Sequence, residues 1–476
     1  MDSIRYYLYF LLGKLRQKYF MQIPENDKEY KDSRIWFIVD GATAVTISLL
    51  TAGAFLAAIL RALGISDSFN GIISAIPSLA CVVQLLGLEL AKRMKKTKFF
   101  VCIFAMIHRL LFTFIFFIPF LALPINTKVI LFISLFLLAN VLGQMIAPVA
   151  GNWISSLVIG NTRGKYFAIR DSIMVFVSVI ISLIAAQVFD LFRASGHENS
   201  SFLFISGVLL AMTIINFVAL SMVKEPRFSY FSPDNKEMHG TLAKKRMTKD
   251  IAEDWEKFRH TFKKVISNQR FKSSIILTVL WQSAFFFSTP YFGIYQISDL
   301  RLSYTYIMIM GFIGSLIRII VTPMGGKVAD IKSWGLVLKV ALFIMAVAFI
   351  INSFTVPQNA HMMFAVFSVL TGIAWAGVAP GIFAIQLDLS PDGDKTAYLG
   401  INAAIMGLCG FISSVIGGYI LQFMLDHNNK LLGHTIYGQQ ILSFGSGIML
   451  FILVIYIKCR IEKLYTIEII HNSLQG

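Results

Sequence analysis

The sequence predicts an all-α membrane protein: twelve transmembrane helices in two pseudo-symmetric six-helix bundles, with both termini on the cytoplasmic face. Three observations predict it. The chain is 56% hydrophobic and only 14% charged, and apolar runs of 18 residues or more recur along it, each long enough to cross a bilayer. Its basic residues are one-sided. With the N-terminus inside, 35 of the 42 Lys and Arg fall on inner segments, and Arg61, Lys128, Arg193, Arg301 and Lys430 alone fall on outer loops, as the positive-inside rule requires. The third is an internal echo. Arg163-Gly164-Lys165-Tyr166, leading to Ile169, Ile173 and Met174, returns 232 positions later as Lys395, Tyr398, Ile401, Ile405 and Met406. Each copy is a short basic loop entering a long apolar helix, the mark of a duplicated unit.

Taken in order, residues 1–34 precede the first span. Ile4 to Leu12 is apolar and is followed by Lys14, Arg16 and Lys18. It is too short to span and lacks a cleavage site, so an interfacial helix on the cytoplasmic face is expected. Residues 35–223 form a first bundle, with spans near 35–60, 69–91, 99–122, 129–157, 167–189 and 202–223. A cytoplasmic linker follows at 224–271. Within it Ile251, Trp255, Phe258, Phe262 and Val265 keep helical spacing opposite a charged face, which predicts an amphipathic helix. Residues 272–460 form a second bundle, with spans near 273–298, 304–326, 335–354, 361–387, 397–425 and 438–458, and 461–476 is a cytoplasmic tail.

The net charge of +16 is accounted for by the inner loops, so no nucleic-acid partner is expected. Cys81, Cys102, Cys409 and Cys459 are scattered, without disulfide or metal spacing. Gly160 to Lys165 reads G-x-x-x-G-K, one residue short of a phosphate-binding loop and without the following hydroxyl residue, which argues against an ATP-driven machine.

Two six-helix halves, inward termini and a long basic central loop resemble the major facilitator superfamily. That family carries a G-x-x-x-D-[RK]-x-G-type loop between its second and third helices, often echoed between the eighth and ninth. Gly326-Lys327-Val328-Ala329-Asp330, then Lys332 and Gly335, is similar to the echo. The first copy is degraded: Gly87 to Ala91 puts Ala91 where the acid should stand. The stretch through Arg163 and Arg170 is similar to loops of bacterial members. A G-x-x-x-G-P-x-x-G-G antiporter signature is absent from the fifth span, since Asp171 to Asp190 holds no Gly or Pro.

The resemblance implies a secondary or facilitative transporter in the cell (inner) membrane, working by alternating access, with a cavity lined by helices 1, 4, 7 and 10. It implies a coupled proton or sodium ion as a further partner, a monomer in the bilayer, no cofactor, no metal and no enzymatic activity; the uncharged amides, hydroxyls and aromatics of these helices suit a small polar or amphipathic solute. The helices it names carry polar stripes: Asn140, Gln144, Pro148 and Asn152; Trp281, Gln282, Thr289 and Tyr291; Ser368, Thr371 and Trp375. Such side chains either face a solute or hydrogen-bond neighbouring helices. Charges inside spans are costly, about 2.5–3.5 kcal/mol at a helix centre, and so are informative. Asp40 either carries a proton or pairs with Arg109. Arg318 either meets an anionic group or snorkels to the inner surface. Asp330, with Arg163 and Arg170, is expected to act as a cytoplasmic gate through the positive end of a helix dipole. A sensor or scaffold reusing the fold is the alternative.

Overall fold

Proline and glycine decide where the apolar runs break. The computed structural model describes residues 30–84, 86–87, 97–158, 163–225, 251–391, 395–431 and 434–464. The expected interfacial segment before residue 30, the degraded loop motif from residue 88, the linker at 226–250 and the tail from 465 lie outside the described residues.

The expected first span is two helices, α1 (Lys31–Leu50) and α2 (Gly53–Ala62), which meet where Gly53 takes φ +53, a left-handed turn a glycine adopts without strain. The second is α3 (Asp67–Ser74) and α4 (Ile76–Ala80), parted just before Pro77 and followed by a 3-10 turn to Val83. Then come α5 (Thr97–Phe117), α6 (Ile125–Ser156), α7 (Arg163–Ala194) and α8 (Glu198–Met222). The expected amphipathic helix is α9 (Ile251–Ser267); its Val265 is fully buried. The seventh expected span opens as α10 (Gln269–Phe286), where the Asn268 side chain accepts the Phe271 N–H at 2.9 Å and caps it. It breaks ahead of Pro290, whose ring and missing N–H end the helix. It resumes as α11 (Phe292–Ile294) and a π turn to Asp299. The chain closes with α12 (Tyr304–Ile331), α13 (Trp334–Asn352), α14 (Ala360–Leu389), α15 (Lys395–Asp426), a two-stranded hairpin (Lys430–Leu431 with His434–Thr435) and α16 (Gly438–Tyr456). Among the described residues, eleven helical stretches are long and apolar enough to cross a membrane; Asp67–Val83 is shorter.

The packing repeats. In the first half α1 lies against α7 and α8, α5 against α6 and α8, and α4 against α6. In the second half α10 lies against α15 and α16, α13 against α14 and α16, and α12 against α14. The pattern is the same contact map six spans on. The sequence echo is what positions it. The Tyr166 hydroxyl, at the head of α7, donates to the Arg34 carbonyl of α1 at 2.8 Å, and burial holds its phenol neutral by pushing its pKa up to about 12. In the second copy Tyr398, at the head of α15, is buried edge-on against Phe271 of α10, with ring centroids 4.8 Å apart. Its neighbour Asn402 accepts from Thr278 of α10 at 2.8 Å. Each repeated loop therefore docks the fifth helix of a half onto its first.

Candidate functional site

Three sets of side chains stand out: a buried ion pair inside the first half, a seam between the halves, and a polar cavity in the second half.

The ion pair joins Asp40 and Arg109. Arg109 of α5, 8% exposed, places Nη1 2.5 Å from Asn216 Oδ1 of α8 and Nη2 3.6 Å from Asp40 Oδ1 of α1. Asn216 Nδ2 in turn donates to Asp40 Oδ1 at 2.9 Å and to Thr43 Oγ1 at 2.8 Å. Charge, counter-charge and amide thus tie α1, α5 and α8 together, and the buried guanidinium has both an anion and an amide oxygen beside it, as burial demands. His108 beside it bonds the Ala139 carbonyl at 2.6 Å.

The seam is formed where the halves meet, at the end opposite Lys31 and Gln269. Asp190 of α7 accepts three hydrogen bonds from the start of α12: Tyr304 N–H at 3.0 Å, Thr305 N–H at 2.8 Å and Thr305 Oγ1 at 2.7 Å. Those N–H groups have no partner within their own helix, and the dipole there favours an anion. Arg61 Nη1 donates to Ser298 Oγ at 2.9 Å, and Ser68 Oγ to Gln422 Oε1 at 2.6 Å. The Tyr304 ring packs on Phe189 and Phe55 at 4.3 and 5.5 Å. The helix breaks in α1–α2 and α10–α11 touch: a Cβ on Gly293 would stand 2.5 Å from the Gly53 carbonyl oxygen. Nearer mid-depth, Gln282 Nε2 donates to Ser78 Oγ at 3.2 Å, and Ser78 Oγ to the Gly407 carbonyl at 3.0 Å. Ser78 lies about 16 Å along its span from Asp67, and Gly407 about 18 Å from Lys395, at 1.5 Å per residue. Among the described residues, hydrogen bonds between the halves stop there.

At the other end, Asp330 is exposed and makes no hydrogen bond or ion pair among the described residues. Arg170 stays within its own half, with Nε 3.5 Å from the Phe37 carbonyl and Nη1 3.5 Å from Asp171. Arg163 heads α7, and its side chain lies outside the described residues, as does that of Asn152.

The expected cavity residues divide. Asn140 is buried and turns its amide back to the Phe136 carbonyl at 2.8 Å. Gln144 accepts from Gln84 at 2.6 Å, joining two helices of the first half. Thr289 bonds the Phe285 carbonyl in its own turn. Tyr291 has no exposed surface, donates to the Ser414 carbonyl at 2.5 Å and wedges between Gly71 and Gly418 at the seam, where it lines a small void with Asp67 and Asp299 and not the larger cavity of the second half. Trp281 and Trp375 do come together, edge to face at 5.5 Å. Trp375 also lines a cavity of about 240 Å³ with Ser368 and Thr371 of α14 and Gly311, Ser315 and Arg318 of α12. The two helices can frame it because Gly372 and Gly314 touch backbone to backbone.

Sequence reasoning missed Asp190. The signal was an acid at the outer end of the fifth span and a helix start, Ser303-Tyr304, at the outer end of the eighth.

The sequence profile of the Major Facilitator Superfamily matches residues 41–414. The chain belongs to that superfamily. No curated protein matches it in sequence. Solved superfamily structures share its fold at low identity. A D-xylose–proton symporter is 12% identical over 90% of this chain and 95% of its own, with a TM-score of 0.64. A mutant of the nucleoside transporter NupG is 12% identical over 90% and 99%, at 0.61. A bacterial homolog of the human lysosomal transporter Spinster, captured inward-facing and unoccupied, is 13% identical over 91% and 97%, also at 0.61. The protein is thus a multi-pass membrane protein with the transporter fold of the Major Facilitator Superfamily.

Proposed function

We propose that this protein moves a small polar or amphipathic solute across the cell membrane by alternating access, and that the conformation described is sealed outside and open inside. The observation that carries the reading is the one-sided seam. Among the described residues, the hydrogen bonds between the halves lie from mid-depth to the end away from Lys31, and Asp330 at the other end makes none. Assigning the sealed end to the outside follows from the one-sided Lys and Arg, on a count of twelve spans with both termini inside. The two halves, 35–223 and 272–460, rock about the seam, and the solute site lies between them near mid-depth, with Trp281, Gln282 and Trp375 on its wall. Asp330, Arg163 and Arg170 form the inner gate in the opposite state. The superfamily neighbours named above, a sugar–proton symporter among them, support a solute and a coupled proton.

If a cation is coupled, Asp40 is not its first candidate, because its carboxylate is committed to Arg109 and Asn216. The acids whose surroundings change when the seam opens are Asp190, Asp67 and Asp299. The last two line a small void with Asn429 and Gln439, whose side-chain oxygens have no donor.

The test is sided labelling. In a chain lacking Cys81, Cys102, Cys409 and Cys459, Ser315→Cys is exposed to a membrane-impermeant maleimide in right-side-out and inside-out vesicles. Reaction from the inner face and protection from the outer face is expected. Equal reaction from both faces, or from neither, would overturn the proposed conformation, and failure of any solute to change the pattern would favour a scaffold.

A further inference from the structure

We infer that the cavity between α12 and α14 binds the anionic end of the solute, and that the solute is a small organic acid carrying hydroxyl or other N–H/O–H donors. This rests on the transporter reading and narrows it.

The argument begins with the contrast between two arginines inside spans. Arg109 is fully served by Asp40 and Asn216. Arg318 has no hydrogen bond or ion pair among the described residues, yet it lies about 21 Å along its helix from Tyr304 and about 20 Å from Ile331, at 1.5 Å per residue. An unpaired charge at that depth marks a place where a partner arrives from outside the protein.

Its direction is fixed by its helix face. Tyr304, Met308, Gly311, Ser315 and Arg318 follow three- and four-residue spacing on α12. The outer end of that face packs on Phe189 and Phe55 of the opposite half. The same face therefore presents Arg318 across the gap between the halves, not to lipid. Opposite it on α14 stands Trp375, held by Trp281 and Phe285; its indole N–H has no acceptor among the described residues.

The three hydroxyls decide the rest of the ligand. Ser315 donates to the Gly311 carbonyl at 2.9 Å, Ser368 to Phe364 at 2.8 Å and Thr371 to Phe367 at 2.7 Å. Each proton is committed to the helix, so each oxygen faces the cavity as an acceptor. The cavity thus offers cationic and indole donors to an oxyanion, and acceptors to a ligand's own O–H or N–H. None of the residues lining it is acidic, so a bare ammonium would find no counter-charge beside Arg318. A hydroxy-acid fits; a neutral sugar leaves the guanidinium unpaired, and an amine is repelled.

The experiment uses the purified full-length protein in detergent. Thermal unfolding is measured with sodium gluconate, lactate and mandelate at about 10 mM against glucose, propanediol and phenylethanediol, with sodium chloride matching the ionic strength. The acids are expected to raise Tm and the neutral partners not. Arg318→Gln should weaken acid binding by about tenfold or more, the size of a lost charge-assisted hydrogen bond, and Trp375→Phe should weaken it less. Arg318 is exposed and unpaired among the described residues, so Arg318→Gln should fold as the parent does, and Trp375→Phe keeps an aromatic ring against Trp281 and Phe285. Binding of neutral partners that survives Arg318→Gln would overturn the acid inference and leave the transporter reading standing. Absence of any acid shift overturns it too. A sided-labelling pattern that never alternates would instead sink the transporter reading itself.

Discussion

Replacing Asp190 by Ala should open the outer face without unfolding the protein. The carboxylate accepts three hydrogen bonds from the first residues of α12, at 3.0, 2.8 and 2.7 Å, across the boundary between the halves. Removing a capping side chain costs about 1 kcal/mol, and removing an anion from a helix N-terminus adds about 0.3–1 kcal/mol. When the seam is shut those N–H groups are left beside apolar rings, whereas in the open state water reaches them. The loss therefore falls on the sealed state. A shift of about 2 kcal/mol changes the ratio of states roughly thirtyfold. The assay is the rate at which Ser315→Cys reacts with an impermeant maleimide from the outer face, in the presence and absence of Asp190→Ala. That rate should rise by about an order of magnitude, and Asp190→Asn, which keeps one acceptor oxygen but no charge, should fall between. An unchanged outer rate in a variant whose unfolding temperature is also unchanged would refute the assignment of Asp190 to the seal.

Three further outcomes follow from the same geometry. Arg109→Leu leaves Asp40 buried without its counter-charge and should cost about 3–5 kcal/mol; loss of a monodisperse peak in size exclusion would report it, and adding Asp40→Asn should restore part of the loss. Gly293→Val puts a side chain into the Gly53 carbonyl, a contact across the seam; the variant should remain folded and label from outside, and a variant that labels only from inside would show the helix breaks to be uncoupled from the seam. Asp330→Asn should leave the inner-face rate of Ser315→Cys as high as in the parent, because Asp330 is unengaged here, while a solute that drives inner closure should protect that cysteine less; equal protection would remove Asp330 from the inner gate.

The helix-rich plan was legible because it rests on terms written locally: apolar length, basic loops and a repeated loop. Even the role of the echo was within reach, since two tyrosines at matched helix starts have matched work to do. What could not be read was direction. Asn140 and Gln144 have the spacing of a cavity stripe, yet one bonds its own helix and the other a neighbour in its own half. Tyr291 sits four residues from Phe287 on a helix that Pro290 breaks, so periodicity stops predicting its face at that point. Amide and hydroxyl side chains serve equally as interhelical bonds and as solute contacts, and residue type alone does not separate the two. Arg318 and Arg109 look alike in sequence for the same reason; only the third dimension gives one of them partners.

An acid at a helix start is a contact that can hold one face shut. Asp190 caps α12 at the end away from Lys31, while Asp330, expected to act at the other end, is exposed and makes no hydrogen bond among the described residues. The two positions suit a molecule with two states. The seam holds one capped helix, the Arg61–Ser298 bond, a few neutral hydrogen bonds, the rings around Tyr304 and close backbone contacts at Gly53 and Gly293, and each neutral hydrogen bond is worth only about 1 kcal/mol net. Contacts of that kind can be lost together and replaced by a matching set at the other end without a large change in free energy, which is the condition for a ligand to shift the balance. The Arg109 network, by contrast, is buried within the first half and does not cross the seam, so the proposed alternation would leave it intact. The division is physical: the costly, paired charge ties the helices of the first half together, and the weak contacts lie where the halves must part.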